Sequence, residues 1–294
     1  MTSVANSEPS GQAQAGFLRD VIDTEGLALV YQPKFSVATG AACGVEVLAR
    51  WPGPRSAKLW QQPDHFIRCA EQQGLAPKLD CHVLSKALGQ ISQWPAWLRL
   101  NLEPVSVNVS ASSVGNEGFL RSVKRILSST LHPRIMFELT ETAPLDNTEQ
   151  AIKAFKDLAR YGVEVSLDDF GQGHNQPSRM ELFQARELKI DKKDTAGIDS
   201  HAGRRHVQEL IGLARKAGLS VTAEGVECRE QWQLLQALGC DYAQGFWLSP
   251  PLPSAATVEF LQQHSSEVLK PGVSSPLYDP RQLWSGLAMR QHYG

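Results

Sequence analysis

Acidic and amide side chains recur at the ends of short apolar runs along this chain. Glu46 lies in Val45-Glu46-Val47-Leu48, Asn108 in Val107-Asn108-Val109, and Glu138 in Met136-Phe137-Glu138-Leu139. Asp168 and Asp169 follow Val165-Ser166-Leu167, and Lys189 sits in Leu188-Lys189-Ile190 just before Asp191. Glu224 follows Val221-Thr222-Ala223 with Glu227 close behind, and Gln244 lies in Tyr242-Ala243-Gln244-Gly245. Taken singly, each has an ordinary reading: a solvent-facing strand residue, a turn, an ion-pair partner or a cap. The recurrence over seven successive runs points to a shared functional mouth. Carboxylates gathered in one place repel one another and lose hydration, a penalty that something must offset. Divalent cations with oxygen ligands offset it well. With no His or Cys at these positions, the donor set favours Mg²⁺ or Mn²⁺ over zinc. The adjacent Asp168 and Asp169 suit a pair of ions about 3.5–4 Å apart, a device for in-line attack on a phosphodiester. Lys189 would then stabilise an attacking hydroxide or the charge on phosphorus.

These residues need elements that carry them to one place. Strands are expected at 27–35, 44–50, 104–109, 134–140, 163–168, 187–190, 220–223 and 242–247. Helices are expected at 63–73, 77–94, 117–129, 148–161, 203–217, 229–238 and 254–264. Asn147 is suited to cap the helix from Thr148, and Gly162 and Gly218 to end their helices. Eight strands with helices between most of them suggest an α/β fold, a TIM-type (β/α)8 barrel whose strand C-termini share one mouth. The first two strands are joined only by an Ala38-Thr39-Gly40 turn. Parallel strands need a crossover of about a dozen residues, so the first strand is expected to run antiparallel.

Composition agrees with a large soluble core: 294 residues, 42% hydrophobic, with a net charge of −2 that drives no general attraction to nucleic acid or membrane. The five cysteines (Cys43, Cys69, Cys81, Cys228, Cys240) are odd in number and form no CxxC pair. They read as reduced thiols of a cytoplasmic protein. Neither a signal peptide nor a membrane-spanning run is read. Residues 1–15 read as a flexible leader, 16–264 as the barrel domain and 265–294 as an irregular tail.

Several of the runs are also motifs. Tyr31-Gln32-Pro33-Lys34 resembles a YQP opening, and Glu46-Val47-Leu48-Ala49-Arg50-Trp51 resembles EALxRW with Val for the central Ala. Pro63-Asp64-His65-Phe66-Ile67, Ala70-Glu71 and Gly74-Leu75 resemble PDxFIxxAExxGL. Val107-Asn108-Val109-Ser110, Glu138-Leu139-Thr140-Glu141, Asp168-Asp169-Phe170-Gly171, Lys189-Ile190-Asp191, Ala223-Glu224-Gly225-Val226-Glu227 and Gln244-Gly245-Phe246 follow in order. From about Leu29 to Pro253 the chain is similar to the EAL-domain family, bacterial signalling phosphodiesterases acting on cyclic di-GMP. The resemblance implies hydrolysis of cyclic di-GMP to linear pGpG with two Mg²⁺ or Mn²⁺ ions. It implies Glu46, Asn108, Glu138 and Asp168 as ligands of one ion, with Asp168, Asp169 and Glu224 serving the second or its water. Lys189, Glu224 and Glu46 would be catalytic. Gln32, Arg50 and Gln244 would contact substrate, and Glu141 would anchor the loop after Asp169. A guanidinium such as that of Arg50 also pairs well with phosphate oxygen.

The family's DDFGTGYSS loop is changed here to Asp168-Asp169-Phe170-Gly171-Gln172-Gly173-His174-Asn175-Gln176, followed by Pro177. Asp194 stands where the family favours an aromatic, and Pro250 where Arg is frequent. The loop from Gln172 to Gln176 therefore keeps a second reading open: a catalytically weak or inactive domain acting as a cyclic di-GMP receptor or protein-interaction module. His174 reads as a solvated loop histidine rather than a ligand. Without a GGDEF-like segment, no diguanylate cyclase activity is expected. The resemblance leaves room for a homodimer and a regulatory protein partner, with no DNA and no membrane among the partners.

Overall fold

A computed structural model of the chain describes residues 11–51, 63–102, 104–129, 132–140, 148–170, 180 and 183–264. In chain order these form α1 (Gly11–Asp23), β1 (Ala28–Ser36), β2 (Ala42–Arg50), α2 (Pro63–Gln72), α3 (Ala76–Ile91), α4 (Ala96–Asn101), β3 (Val105–Asn108), α5 (Ala111–Val114), α6 (Glu117–Ser129) and β4 (Ile135–Thr140). They continue with α7 (Thr148–Ala159), β5 (Val163–Phe170), β6 (Glu187–Ile190), α8 (Lys192–Ala196), α9 (His201–Lys216), β7 (Ser220–Ala223), α10 (Arg229–Leu238), β8 (Tyr242–Ala243), β9 (Leu252–Pro253) and α11 (Ser254–His264). The hydrogen-bonded strand order runs β2-β3-β4-β5-β6-β7-β8-β1, with β9 beside β1 and a further β1–β2 pairing that returns the order to its start. This is the expected α/β barrel. Its first strand is antiparallel to β8, pairing Phe35 with Ala243 and Ser36 with Tyr242.

Two compact units divide the chain: Met1–Tyr31 with Val47–Val165, and Gln32–Glu46 with Ser166–Gly294. In the first, α3 buries Leu79, Val83, Leu84, Ala87, Leu88 and Ile91, one stripe at helical spacing. Helix α6 buries Phe119, Val123 and Leu127 in the same way, and the Phe119 ring meets Phe137 of β4 at 6.3 Å. Each such Val, Leu, Ile or Phe side chain contributes about 1.5–3 kcal/mol by leaving water. Strands β3 and β4 are parallel, with Asn108 opposite Glu138. Helix α1 begins inside the segment read as a leader, and Ala15, Leu18 and Ile22 are buried along one face. Its polar, glycine-containing start hides that stripe in the sequence. The helix expected to reach residue 94 stops at Ile91, and Trp94 packs edge-on against Tyr31 at 5.1 Å.

In the second unit β5, β6, β7 and β8 are parallel in turn. The β5–β6 register shifts between Leu167 and Phe170, at the two aspartates. Such bulges are frequent beside active sites, where they re-aim side chains. Helix α9 starts two residues earlier than expected because the Ser200 hydroxyl accepts from Gly203 N at 2.9 Å, capping its first turn. Gly218 ends the same region at φ +72°, a left-handed conformation that side chains with Cβ resist. The strand expected over 242–247 is only two residues long. After Ala243 the backbone turns, with Leu248 N and Ser249 N both bonding to Gly245 O. Asn147, Glu141, the 172–176 loop and the 265–294 tail lie outside the described residues.

Candidate active site

The sequence Glu187-Leu188-Lys189-Ile190 is buried throughout. Alternation along a strand puts Glu187 and Lys189 on one face, one step apart. The two charges have very different surroundings. Glu187 is closed off: its carboxylate accepts from Lys34 Nζ at 2.9 and 3.0 Å, from Ser166 Oγ at 3.1 Å and from Thr222 Oγ1 at 2.8 Å. One buried cation and one buried anion balance, and two hydroxyls complete the anion's hydrogen bonds.

Lys189 instead faces a surplus of acid. Its Nζ lies 2.5 Å from Glu224 Oε1, 3.4 Å from Asp168 Oδ1 and 3.7 Å from Glu46 Oε2. Three carboxylates thus share one fully buried ammonium. Burial, reinforced by the charges of Asp168 and Glu46, pushes the Glu224 carboxyl up to about 7, although Lys189 pulls the other way. Added positive charge would relieve that strain on the ionised form.

Gln244 ties the cluster together. Its Nε2 donates to Glu46 Oε2 at 2.6 Å and to Glu224 Oε1 at 3.1 Å. With the amide N–H bonds committed to carboxylates, Gln244 Oε1 is buried with no hydrogen-bond partner among the described residues. Gln32, on the antiparallel strand, donates from Nε2 to Ser249 O at 3.2 Å. Glu46, Asp168, Lys189, Glu224, Gln244 and Gln32 therefore all belong to the second unit, five of them in one hydrogen-bonded and ionic cluster.

Asn108 and Glu138 lie in the first unit, opposite each other at the ends of β3 and β4. Val109 N donates to Glu138 O at 3.0 Å, and the Glu138 side chain is buried. Arg50 ends β2, with Nη1 donating to Ala49 O at 2.9 Å. The backbone of Asp169 continues β5. Asp191, next to Lys189, has a local role: Oδ1 accepts from Lys193 N at 2.7 Å and caps α8. Glu227 N donates to Gln231 Oε1 at 2.7 Å at the start of α10. Lys34 and Glu187 escaped the sequence reading, which weighed only strand ends. Their signal was the one that singled out Lys189, a charge inside an apolar strand.

Among the described residues, no three His, Cys, Asp or Glu side chains already form a metal cage. Hard carboxylate oxygens gathered around Lys189 nevertheless suit a divalent cation of the Mg²⁺ or Mn²⁺ kind. No described helix is long and apolar enough to cross a membrane.

The EAL domain sequence profile matches residues 16–251. The chain is 32% identical over 268 residues to the signaling protein YkoW of Bacillus subtilis, covering 90% of this chain and 33% of that protein. It is 33% identical over 226 residues to the cyclic di-GMP phosphodiesterase PdeL of Escherichia coli, covering 76% of this chain and 61% of that protein. The chain thus spans about a third to three-fifths of these curated relatives. A solved structure of the PaMucR phosphodiesterase in complex with c-di-GMP superposes with a TM-score of 0.75 at 29% identity, covering 83% of this chain and 99% of that one. The match to the profile over most of the length, and a barrel whose strands carry the acidic cluster, place this chain in the EAL domain family.

Proposed function

We propose that this chain is a metal-dependent cyclic di-GMP phosphodiesterase of the cytoplasm that produces linear pGpG. The observation that carries the reading is the Lys189 cluster, in which Glu46, Asp168 and Glu224 converge on one buried ammonium. The named activity of relatives such as PdeL supports the substrate. Glu46, Asn108, Glu138 and Asp168 would hold one Mg²⁺ or Mn²⁺, and Asp168, Asp169 and Glu224 would serve a second. Bound divalent ions supply an acidified water and offset the negative charge of the reacting phosphate.

The chain's own groups do the rest. Water attacks phosphorus, the bond to the ribose 3′-oxygen breaks, and that oxygen leaves with a proton. Glu224, beside Lys189, is placed to take the water's proton. Lys189 Nζ stabilises the attacking oxygen, and Arg50 holds a phosphate oxygen. Gln32 and Gln244 orient the nucleotide. Glu141 would anchor the loop after Asp169, and a second copy or a regulatory protein would tune the output.

The test is hydrolysis by purified protein with Mg²⁺ and then Mn²⁺, following cyclic di-GMP and pGpG by chromatography. Turnover that disappears in Glu46→Ala supports the enzyme. Tight cyclic di-GMP binding without turnover would replace it with a receptor, and turnover undiminished in Glu46→Ala would remove Glu46 from the site.

A further inference from the structure

Below the Lys189 cluster, one step nearer the strand starts, the second unit carries another layer of polar side chains. Ser166, Glu187 and Thr222 stand two residues before Asp168, Lys189 and Glu224 respectively, along the neighbouring parallel strands β5, β6 and β7. Residues two apart on a strand share a face, so each lower side chain lies under an upper one. The lower three meet at Glu187, whose Oε1 accepts from Ser166 Oγ at 3.1 Å and whose Oε2 accepts from Thr222 Oγ1 at 2.8 Å. Lys34 reaches the same layer from β1, which runs the other way, and its Nζ donates to Oε1 at 3.0 Å and to Oε2 at 2.9 Å. All of these residues are fully buried or nearly so. An ionised carboxylate has about four lone-pair positions, and these bonds, two to each oxygen, fill them.

Such a layer is a costly way to fill a core. Two charges and two hydroxyls give up their hydration, and apolar side chains of similar volume often stabilise as well or better. What the bonds supply is registry. A carboxylate carried on β6 and held from β1, β5 and β7 fixes these strands against one another within hydrogen-bond tolerance. It does so one step below the place where Asp168 and Glu224 converge on Lys189 Nζ. We propose that Glu187, with Lys34, Ser166 and Thr222, is the positioning layer of the active site. It sets the height and spacing at which Asp168, Lys189 and Glu224 are presented to the divalent ions. These are positioning residues, acting through the strands they tie together. The assignment rests on the phosphodiesterase reading above and adds to it the groups that hold its acids in place.

The experiment compares wild type with Thr222→Val, Thr222→Ser and the double variant Lys34→Met/Glu187→Gln. The control is Leu235→Ala, a truncation in the buried face of α10 that leaves both layers intact. Each protein is assayed well below its own melting temperature for cyclic di-GMP hydrolysis. Mn²⁺ affinity is measured apart from turnover, by titration calorimetry. Losing a group that orients metal ligands lowers metal affinity or rate by about 10–100-fold. Thr222→Val keeps the shape of the side chain and removes its hydroxyl. It should lose about ten-fold in kcat and in Mn²⁺ affinity with the KM for cyclic di-GMP little changed, and the double variant should lose more. Thr222→Ser restores the hydroxyl and should return both quantities towards wild type. Leu235→Ala should lower the melting temperature and move neither. Wild-type kcat and Mn²⁺ affinity in Thr222→Val and the double variant would overturn the positioning role, as would equal losses in Leu235→Ala. In a wild type that binds Mn²⁺ without cleaving cyclic di-GMP the phosphodiesterase reading fails, and the Mn²⁺ affinities of the variants decide the positioning role by the same comparison.

Discussion

Burial pushes the Asp80 carboxyl up to about 7, although Ser113 Oγ donates to it at 2.6 Å and Ser110 N at 2.9 Å. An acid whose folded pKa lies above its ordinary 3.8 holds a proton in the native state that the unfolded chain has released. Between about pH 4 and 7 the native state therefore binds more protons, and Asp80's contribution to stability falls as pH rises through that window. Asp80→Asn keeps an oxygen acceptor and removes the titration. The stability of wild type relative to this variant should decline from pH 4 to 7, as read by urea denaturation at a series of pH values. Asp80→Ala should lose about 1–3 kcal/mol, because two donors lose their acceptor. A second residue-scale test concerns Lys34 and Glu187, buried partners at 0% and 1% exposure. Glu187→Gln removes the buried carboxylate that Lys34 Nζ meets at 2.9 Å and should reduce stability by about 3–5 kcal/mol. Adding Lys34→Met should recover part of that loss, because the amide oxygen still accepts from one of the Ser166 and Thr222 hydroxyls.

At the scale of elements, the turn after β8 is the place where one atom decides the geometry. Gly245→Ala forces a methyl against Val226, and overpacking of this kind costs about 1–3 kcal/mol. The expected outcome is a lower melting temperature together with weaker substrate binding, since Gln244 hangs on that turn. The same region shows where the sequence was legible. Lys189 and Glu224 stood out because a charge in an apolar run must find company, and the structure supplies it at 2.5 Å. The antiparallel first strand was legible because three turn residues leave no room for a crossover, and Ser36 N indeed bonds across the turn to Ala41 O at 2.9 Å. What escaped notice depended on tertiary partners. Trp247 reads as a strand residue until Trp232 is known to draw it inward. Helix α1 has an apolar stripe too sparse to stand out from a polar start. The short helix α8 is set by a local cap, Asp191, and α4 and α5, six and four residues long, are too short to show an apolar period.

For the whole molecule, a ligand that binds only the folded state raises its stability in proportion to RT ln(1 + [L]/Kd), about 2.7 kcal/mol at a hundred-fold excess over Kd. The acid surplus around Lys189 predicts that Mg²⁺ or Mn²⁺ raises the melting temperature and that a chelator reverses the rise. Glu46→Ala should shrink the shift, measured by scanning calorimetry. A shift equal in wild type and variant would place the cation elsewhere.

The antiparallel pairing of β1 with β8 also has a consequence for how the chain is made. Gln32 and Ser249 meet across 217 residues, and Glu46 meets Gln244 across 198. On the ribosome β1 meets β2 at once through its turn, but its other neighbour, β8, follows only about two hundred residues later. Contacts of such long range form late, after the loop-closure entropy has been overcome. A nascent chain that stops short of β8 holds Glu46 and Lys189 yet lacks the amide that links Glu46 to Glu224. Synthesis thus carries its own quality check: Gln244, which leaves the ribosome just after β8, supplies the link that joins Glu46 to Glu224.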